Sequence, residues 1–169
     1  MTKREALAFT LIGVLGSVAL LSLWLLEWRW LGKFDNSLAQ FDGQNLLAIS
    51  NGQITVQQFI DPDCPCNRYV REHREELQAR YSSQSIRFEL LTPSSLTAAA
   101  VPSSPAVAIW DRDGRLAYFG PYSNGVICNA KTSFIEPVLN QLKTGENPQI
   151  NNTAGVGCFC PWPDTRSRV

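Results

Sequence analysis

The chain has 169 residues, of which 44% are hydrophobic and 18% charged, and its 15 Lys and Arg balance its 15 Asp and Glu. A neutral chain without a basic block lacks the electrostatic footprint of a nucleic-acid-binding protein. Its apolar content is too high for a disordered chain, and its length beyond the N-terminal segment suits one domain of ordinary size.

The first predicted element is a membrane-spanning helix. Residues 6–26 contain no charged side chain, and about 20 apolar residues at 1.5 Å rise per residue cross a hydrocarbon core. Tryptophans crowd the far end of this segment, as interfacial tryptophans do. A cleaved signal peptide is the alternative, but its apolar region is shorter and ends in a small-x-small site. We therefore expect residues 1–30 to be an uncleaved anchor that holds the chain in the membrane.

The expected orientation places the rest of the chain outside the cytoplasm. Two basic residues precede the apolar segment and two follow it, namely Lys3, Arg4, Arg29 and Lys33. The positive-inside bias therefore points only weakly to a cytoplasmic N-terminus. All five cysteines lie beyond the anchor, which suits an oxidising compartment, with metal binding in a reducing one as the alternative. We expect a single-pass protein of the bacterial inner membrane with its soluble domain in the periplasm.

Behind the anchor, residues 31–50 are expected to form a linker with a short helix, and a compact domain is expected at residues 51–146. Its first strand is predicted at residues 53–60, which are rich in β-branched side chains and bounded by turn-forming residues. A helix is predicted at residues 67–81, because its apolar residues recur at intervals of three or four. A second strand follows at residues 85–91.

The second half of the domain is predicted to hold a hairpin. Residues 92–104 are expected to be a loop with one helical turn. Residues 106–110 and 116–119 are predicted to be strands joined around Asp113-Gly114, a dipeptide typical of tight hairpin turns.

A last helix is predicted within residues 131–144, and residues 147–169 are expected to form a C-terminal tail. Ser133 and Glu136 have the spacing of a capping box, although Pro137 would then fall in the first turn. The predicted order of elements is therefore β-α-β-β-β-α, preceded by one transmembrane helix.

Two cysteines, Cys64 and Cys66, lie where the first strand ends and the first helix of the domain begins. A helix N-terminus carries partial positive charge, which stabilises a thiolate and lowers its pKa. The thiolate is the nucleophile in thiol–disulfide exchange. Cysteines two positions apart can bond only near the edge of the allowed Cα separation, about 4.4–6.8 Å, so such a bond would be easily reduced. The motif predicts a redox site.

The sequence Phe59-Ile60-Asp61-Pro62-Asp63-Cys64-Pro65-Cys66 resembles the strand–Cys-x-x-Cys–helix site of the thioredoxin superfamily. It is most similar to the periplasmic disulfide oxidoreductases and isomerases of the Dsb type. Ser104-Pro105, followed by the hairpin, is similar to the cis-proline element of that family. The resemblance covers roughly residues 53–145 and implies an α/β thioredoxin-like fold with a shortened middle helix. It also implies that Pro105 is cis and presents substrate backbone beside the cysteines.

The resemblance implies thiol–disulfide exchange with protein thiols and disulfides, without a cofactor. This chain has Cys-Pro-Cys where the family has Cys-x-x-Cys. The alignment that keeps the D-P-x-C-P string makes Cys64 the attacking thiol and Cys66 the resolving thiol. In the other alignment, Asp63 takes the place of the nucleophile and Cys64 is displaced. The family's buried acid is replaced by Gln58, which cannot ionise.

Three further cysteines leave alternatives open. Cys158 and Cys160 form a second Cys-x-Cys in the tail, and Cys128 follows the hairpin in a loop expected to border Cys64. The tail pair could exchange with the first pair, or Cys128 could bond a tail cysteine and pin the tail. Alternatively, the two Cys-x-Cys pairs, Cys64, Cys66, Cys158 and Cys160, with or without Cys128, could hold zinc or copper. Their spacing is tighter than usual for zinc, so redox chemistry is the expectation, with a metal carrier or a redox-inactive scaffold as alternatives.

One other residue invites a functional assignment. His73 is the only histidine and lies on the apolar face of the predicted helix. It is expected to be a packing residue and not a ligand or a catalytic base.

Overall fold

The computed structural model describes residues 3–30, 32–33, 52–93, 101–152 and 155–162. The chain divides into two compact units, Met1–Leu31 and Gly32–Val169. The first unit is one helix, α1 (Lys3–Trp30), whose stretch Lys3–Leu26 is long and apolar enough to cross a membrane. The side chains of this stretch are exposed, as the lipid-facing surface of a spanning helix would be.

The second unit contains nine strands and two helices among the described residues. In chain order they are β1 (Gly32–Lys33), β2 (Ile54–Phe59), α2 (Asn67–Tyr81), β3 (Ile86–Leu91), β4 (Ser103–Ser104), β5 (Ala106–Trp110), β6 (Leu116–Gly120), α3 (Ile135–Lys143), β7 (Ile150–Asn151), β8 (Val156–Gly157) and β9 (Cys160–Pro161). The longer strands and both helices lie where the periodicity predicts them, and the mixed α/β class is confirmed.

A five-stranded mixed sheet in the order β3-β2-β5-β6-β7 forms the centre of this unit. β2 runs parallel to β3 and antiparallel to β5, with Val56 opposite both Phe88 and Ile109. β6 is antiparallel to β5, and the short β7 joins β6 in parallel. Because β2 is flanked by strands and covered on both faces, all six of its residues are buried.

The two faces of the sheet bury different partners, because successive side chains of a strand point to opposite sides. One face packs against both helices in a core that includes Val107, Ile109, Leu77 and Leu139. The other face holds a smaller cluster of Phe59, Val101, Ala106, Ala108, Trp110, Phe119 and Trp162. The tail thus contributes Trp162 to the second core.

The capping box predicted for the last helix is wrong. The N-cap of α3 is Phe134, whose side chain makes no capping hydrogen bond. Ser133 Oγ instead accepts a hydrogen bond from the Ile135 N–H at 3.0 Å. Pro137 falls in the first turn, where a backbone N–H has no partner within the helix, so proline is tolerated there.

Some predicted features lie outside the described residues. The short helix expected within residues 31–50 falls almost wholly on residues 34–50, and the helical turn expected after residue 92 falls mostly on residues 94–100. Two pairings of short strands were not predicted, β1 with β8 and β4 with β9. The second of these pairings attaches the tail beside the cysteine motif.

Candidate functional site

The turn at residues 61–66, here called the cysteine turn, connects β2 to α2 through a series of local hydrogen bonds. The Cys64 N–H donates to the Asp61 carbonyl at 3.0 Å, and the Asn67 N–H donates to the Cys64 carbonyl at 3.2 Å. The Asn67 side-chain amide donates to the same Asp61 carbonyl at 2.6 Å. Cys66 is the N-cap of α2. Both cysteines are therefore held at the positive end of the helix, which stabilises thiolates.

Ser104 and Pro105 hold the cysteine turn from the other side. Their peptide bond is cis, as the resemblance implies. Ser104, which is fully buried, accepts a hydrogen bond at Oγ from the Asp61 N–H at 2.8 Å. Its carbonyl oxygen lies 3.6 Å from Cys64 Sγ. The structure thus places Ser104, the residue before Pro105, against Cys64, although the two are 40 positions apart in the chain.

The tail lies beside Ser104 as the short strand β9, which pairs with β4. β9 is antiparallel to β4, with Cys160 opposite Ser104 and Pro161 opposite Ser103. The Trp162 N–H donates to the Pro102 carbonyl at 3.0 Å. The Trp162 ring is buried edge-to-face against Phe59, with 6.0 Å between ring centroids.

Two disulfides join the tail to the cysteine turn. Cys64 bonds Cys160, and Cys66 bonds Cys158, with Cα separations of 5.9 and 5.4 Å. Both separations lie in the usual range for a disulfide. Residues two apart in an extended chain present their side chains on one side, which applies to Cys158 and Cys160 in the tail. Cys64 and Cys66 lie in the cysteine turn, with Cys66 in helical conformation, and each of them bonds one tail sulfur. The chains meet in opposite directions, which pairs the first cysteine of one motif with the last of the other.

Three of the four sulfurs form one compact group, and the fourth, Cys158 Sγ, is bonded to one of them; the four together are here called the sulfur cluster. Cys160 Sγ lies 4.0 Å from Cys66 Sγ, to which it is not bonded. The Sγ atoms of Cys64, Cys66 and Cys160 all lie within 4.8 Å of one another. Cys64 and Cys66 are each 4% exposed and Cys158 is 9% exposed, whereas Cys160 is half-buried. Cys160 is therefore the sulfur with the most solvent access.

A shallow pocket adjoins the Cys66–Cys158 bridge. Its lining combines the bridge, the cis-proline and aromatic side chains, and includes Cys66, Tyr69, Pro105, Tyr122, Cys158 and Phe159. Tyr69 and Val126 also pack against the sulfur cluster. The pocket gives the second bridge an apolar opening at the surface.

The interpretation that Cys128 bonds a tail cysteine is wrong, because Cys128 is a free, buried thiol. It belongs to the helix-side core, and its N–H donates to the Tyr69 carbonyl at 3.4 Å. Burial raises the pKa of the Cys128 thiol to about 12, although a hydrogen bond with Ser123 opposes this effect. Cys128 is therefore a neutral thiol at ordinary pH and a poor nucleophile.

The easily reduced Cys64–Cys66 bond expected from the sequence is not the one present, since each of these cysteines bonds the tail. Closing a ring across a single proline competes here with a second Cys-x-Cys, which offers each sulfur a partner at an ordinary Cα separation. Spacing alone could not reveal this competition, because the tail lies more than 90 positions away.

Sequence reasoning missed a buried contact between a histidine of α2 and a glutamate of α3. His73 is 2% exposed, as expected for a packing residue, but its Nε2 lies 3.5 Å from Glu136 Oε2. Arg80 Nη1 lies 3.8 Å from the other oxygen of Glu136. Burial tends to raise the pKa of Glu136, but His73 and Ser133 more than offset it, so this pKa lies below its ordinary value. Only the packing of α3 on α2 brings these residues together.

The sequence names Ser104 and Gln58 only through the resemblance, Ser104 as the residue before Pro105 and Gln58 in place of the family's acid. The structure adds the role of Ser104, which lies in β4 and links that strand to the cysteine turn by a hydrogen bond. Gln58 is 3% exposed in β2, so the acid that the resemblance leads one to expect is replaced by a buried neutral amide.

Comparison with known proteins places the chain in a family. Residues 34–162 match DUF6436, a domain of unknown function, and the chain belongs to that family. No curated protein matches the chain significantly.

Solved structures share the fold. An uncharacterised conserved protein from Geobacillus kaustophilus superposes with a TM-score of 0.56 at 17% identity, covering 69% of this chain and 80% of that one. A hypothetical protein from Sinorhizobium meliloti 1021 superposes with a TM-score of 0.53 at 15% identity, covering 67% and 80%. At these identities the likeness concerns the fold alone. The bonded cysteine pairs and their cluster are compatible with redox chemistry or with metal binding.

Proposed function

We propose that this protein is a membrane-anchored thiol–disulfide oxidoreductase or isomerase of thioredoxin-like fold, which acts on protein thiols at the periplasmic face of the bacterial inner membrane. The observation that carries the proposal is the Cys64–Cys160 disulfide, held at a helix N-terminus beside a cis-proline. The β-α-β-β-β-α order of the core and the mixed sheet support the thioredoxin-like assignment.

Cys64 is the sulfur that exchanges partners in this mechanism. A substrate thiolate attacks Cys64 Sγ, the Cys64–Cys160 bond breaks, and Cys160 leaves as a thiolate. A second substrate thiolate attacks the substrate sulfur of the mixed disulfide and displaces Cys64. Two substrate thiols lose two electrons and two protons and become one disulfide, while Cys64 and Cys160 become thiols. The helix N-terminus stabilises the departing Cys64 thiolate, and a better leaving group speeds the exchange.

The reverse direction uses the same sulfurs. The thiolate of Cys64 attacks a substrate disulfide, and a neighbouring thiol resolves the mixed disulfide. The sequence assigns this resolving role to Cys66. The sulfur distances bring both Cys66 and Cys160 within reach, since the three Sγ atoms lie within 4.8 Å of one another. Cys160 is the resolving thiol while the Cys66–Cys158 bridge is intact, and Cys66 can resolve only after a substrate dithiol has also reduced that bridge. The carbonyl of Ser104 lies against Cys64 Sγ, and Pro105 follows directly, where it would present the substrate backbone.

The test compares two variants that each lack one bridge. The full chain in detergent is supplied with a reduced two-cysteine peptide, and peptide disulfide is followed by mass. The variant with Cys64→Ala and Cys160→Ala should fall to background. The matched variant with Cys66→Ala and Cys158→Ala keeps the Cys64–Cys160 disulfide and should still oxidise the peptide. Activity that persists without Cys64 would reject Cys64 as the exchanging sulfur, and a wild type that oxidises nothing would reject the exchange function and leave the redox-inactive scaffold.

A further inference from the structure

We infer that the reduced protein binds one Zn²⁺ ion through Cys64, Cys66, Cys158 and Cys160. This site goes beyond exchange activity, because it requires only that a dithiol reductant can open both disulfides. The protein would then alternate between an oxidised form closed by two disulfides and a reduced form closed by a metal.

The distances between sulfurs suit a zinc tetrathiolate. Zn–S bonds of about 2.3 Å place the four sulfurs of a tetrahedron about 3.8 Å apart. The unbonded pair Cys66 and Cys160 is already separated by 4.0 Å, and Cys64 lies within 4.8 Å of both. The two bonded pairs, Cys64–Cys160 and Cys66–Cys158, must each separate on reduction to reach this spacing. Cys158 Sγ stands outside the group of three close sulfurs and joins it once its bond to Cys66 has opened.

The chemistry of the ligands also favours zinc. Four thiolates without an open position define a closed, structural zinc site. Three of the four sulfurs belong to side chains that are at most 9% exposed, so thiolates left there without a metal would repel one another with little water to screen them. The N-terminus of α2 favours the residual negative charge of the complex.

Reduction of the two disulfides and binding of zinc are separate steps, and each balances in atoms and electrons. Two molecules of a dithiol reductant convert the two disulfides to four thiols and become two disulfides themselves. Binding of Zn²⁺ then releases four protons, because each ligand coordinates as a thiolate. The ion takes up no electrons. Coordination to zinc engages the sulfur lone pairs that would otherwise attack an oxidant, so bound zinc should slow reoxidation of the reduced protein.

The test uses Zn²⁺ alone as the probe. The full chain in detergent is reduced with a phosphine under argon, freed of reductant, incubated with Zn²⁺ and analysed for metal by mass spectrometry. We expect one zinc per reduced chain and none on the oxidised chain. X-ray absorption at the zinc edge should show four sulfurs at about 2.3 Å.

Single-cysteine variants distinguish zinc bound at this four-cysteine site from zinc bound nonspecifically by other thiols. Cys158→Ser and Cys160→Ser should each weaken zinc binding by more than about 100-fold, which exceeds the usual loss on removing a residue that only supports a ligand. Cys128→Ser removes a cysteine outside the sulfur cluster and should leave affinity unchanged. A reduced wild type that binds no zinc, that prefers Cu(I) with only three sulfurs, or that loses zinc equally in Cys128→Ser would overturn the site. Peptide oxidation by the metal-free protein is measured separately, so either conclusion can fail alone.

Discussion

Cys128 shows how strongly the surroundings of a cysteine decide its chemistry. It lies in the same domain as the sulfur cluster, yet it is buried in the helix-side core and its pKa is raised to about 12. We therefore expect iodoacetamide at pH 8 to leave the folded, oxidised chain unmodified. After unfolding without reductant, each chain should take up one label, at Cys128, as read by peptide mass spectrometry. Labelling of a tail cysteine in the folded chain would contradict the two-bridge arrangement.

Glu136 carries a pH dependence of stability that the sequence does not show. Its pKa in the folded protein lies below the ordinary value of about 4.5, because burial is outweighed by His73 and Ser133. The Arg80 guanidinium also lies 3.8 Å from Glu136 Oε1. A lowered pKa means that the ionised carboxylate stabilises the fold above pH 4.5 and that this contribution is lost as the pH falls through the folded pKa.

The Glu136→Gln variant tests this dependence. At pH 7 it should be less stable than the wild type by about 1–3 kcal/mol, the usual cost of losing a bond to a charged group. Near pH 3 the two proteins should converge. Urea unfolding at both pH values measures the difference, and a gap that widens on acidification would contradict the assignment.

At the level of single residues, the predictable part of the site is the part that is local in sequence. Cys64 and Cys66 can be placed at a helix N-terminus because the strand and helix around them have clear periodicities. The partners of these cysteines, and the pairing of His73 with Glu136, depend on which elements pack together. No local sequence pattern encodes a contact between residues more than 60 positions apart. The spacing of the cysteines was therefore compatible with exchange between the two pairs, with a metal site or with a bridge that fastens the tail, and it could not decide which cysteines are bonded.

Among the elements, periodic segments were predictable and short ones were not. β2, α2, β3, β5, β6 and α3 each have enough residues for an apolar pattern to repeat. β4 and β9 have two residues each, too few for any pattern, and they exist because each supplies the other's hydrogen bonds. These two strands nevertheless decide the chemistry, because their pairing places Cys160 next to Ser104 and therefore beside Cys64.

The tail strand should depend on its aromatic anchor. Trp162 is 7% exposed and packs edge-to-face on Phe59, so Trp162→Ala removes a large buried side chain and should cost about 3 kcal/mol of unfolding free energy. A loosened tail should also expose the Cys64–Cys160 bond, so that glutathione reduces it faster. Trp162→Phe keeps an aromatic ring and should change both quantities less. Equal reduction rates in wild type and Trp162→Ala would show that another contact holds the tail.

The N-terminal unit is a single helix whose apolar stretch fits a bilayer, and the proposed function requires the cysteines to face an oxidising compartment. An alkaline phosphatase fused after Val169 in bacterial cells should therefore be active, because that enzyme needs disulfides of its own. A fusion made after deletion of residues 3–26 should be inactive and soluble. An inactive fusion of the full chain would place the domain in the cytoplasm and remove the basis for exchange at the periplasmic face.

In the second unit, the contributions of the two disulfides to stability depend on each other, because both close the same long loop. Each spans more than 90 positions, with separations of 96 and 92 residues. A bridge that closes a loop of about 100 residues removes about 4.7 kcal/mol of entropy from the unfolded chain. Once either bridge is present, however, the other closes only the small ring formed by residues 64–66 and 158–160, for which the same relation gives about 2 kcal/mol.

The two bridges should therefore be strongly non-additive. Replacing Cys64 and Cys160 with alanine, or Cys66 and Cys158, should each cost about 2 kcal/mol, because the surviving bridge still closes the long loop. Replacing all four should cost about 7 kcal/mol, far more than the sum of the two double variants. Urea unfolding of the oxidised full chain in detergent is measured for the wild type and the three variants. The four free energies of unfolding form a double-mutant cycle in which each bridge counts as one site. If each double variant instead cost half of the fourfold loss, the bridges would act independently, and they could not both connect the cysteine turn to the same short stretch of tail.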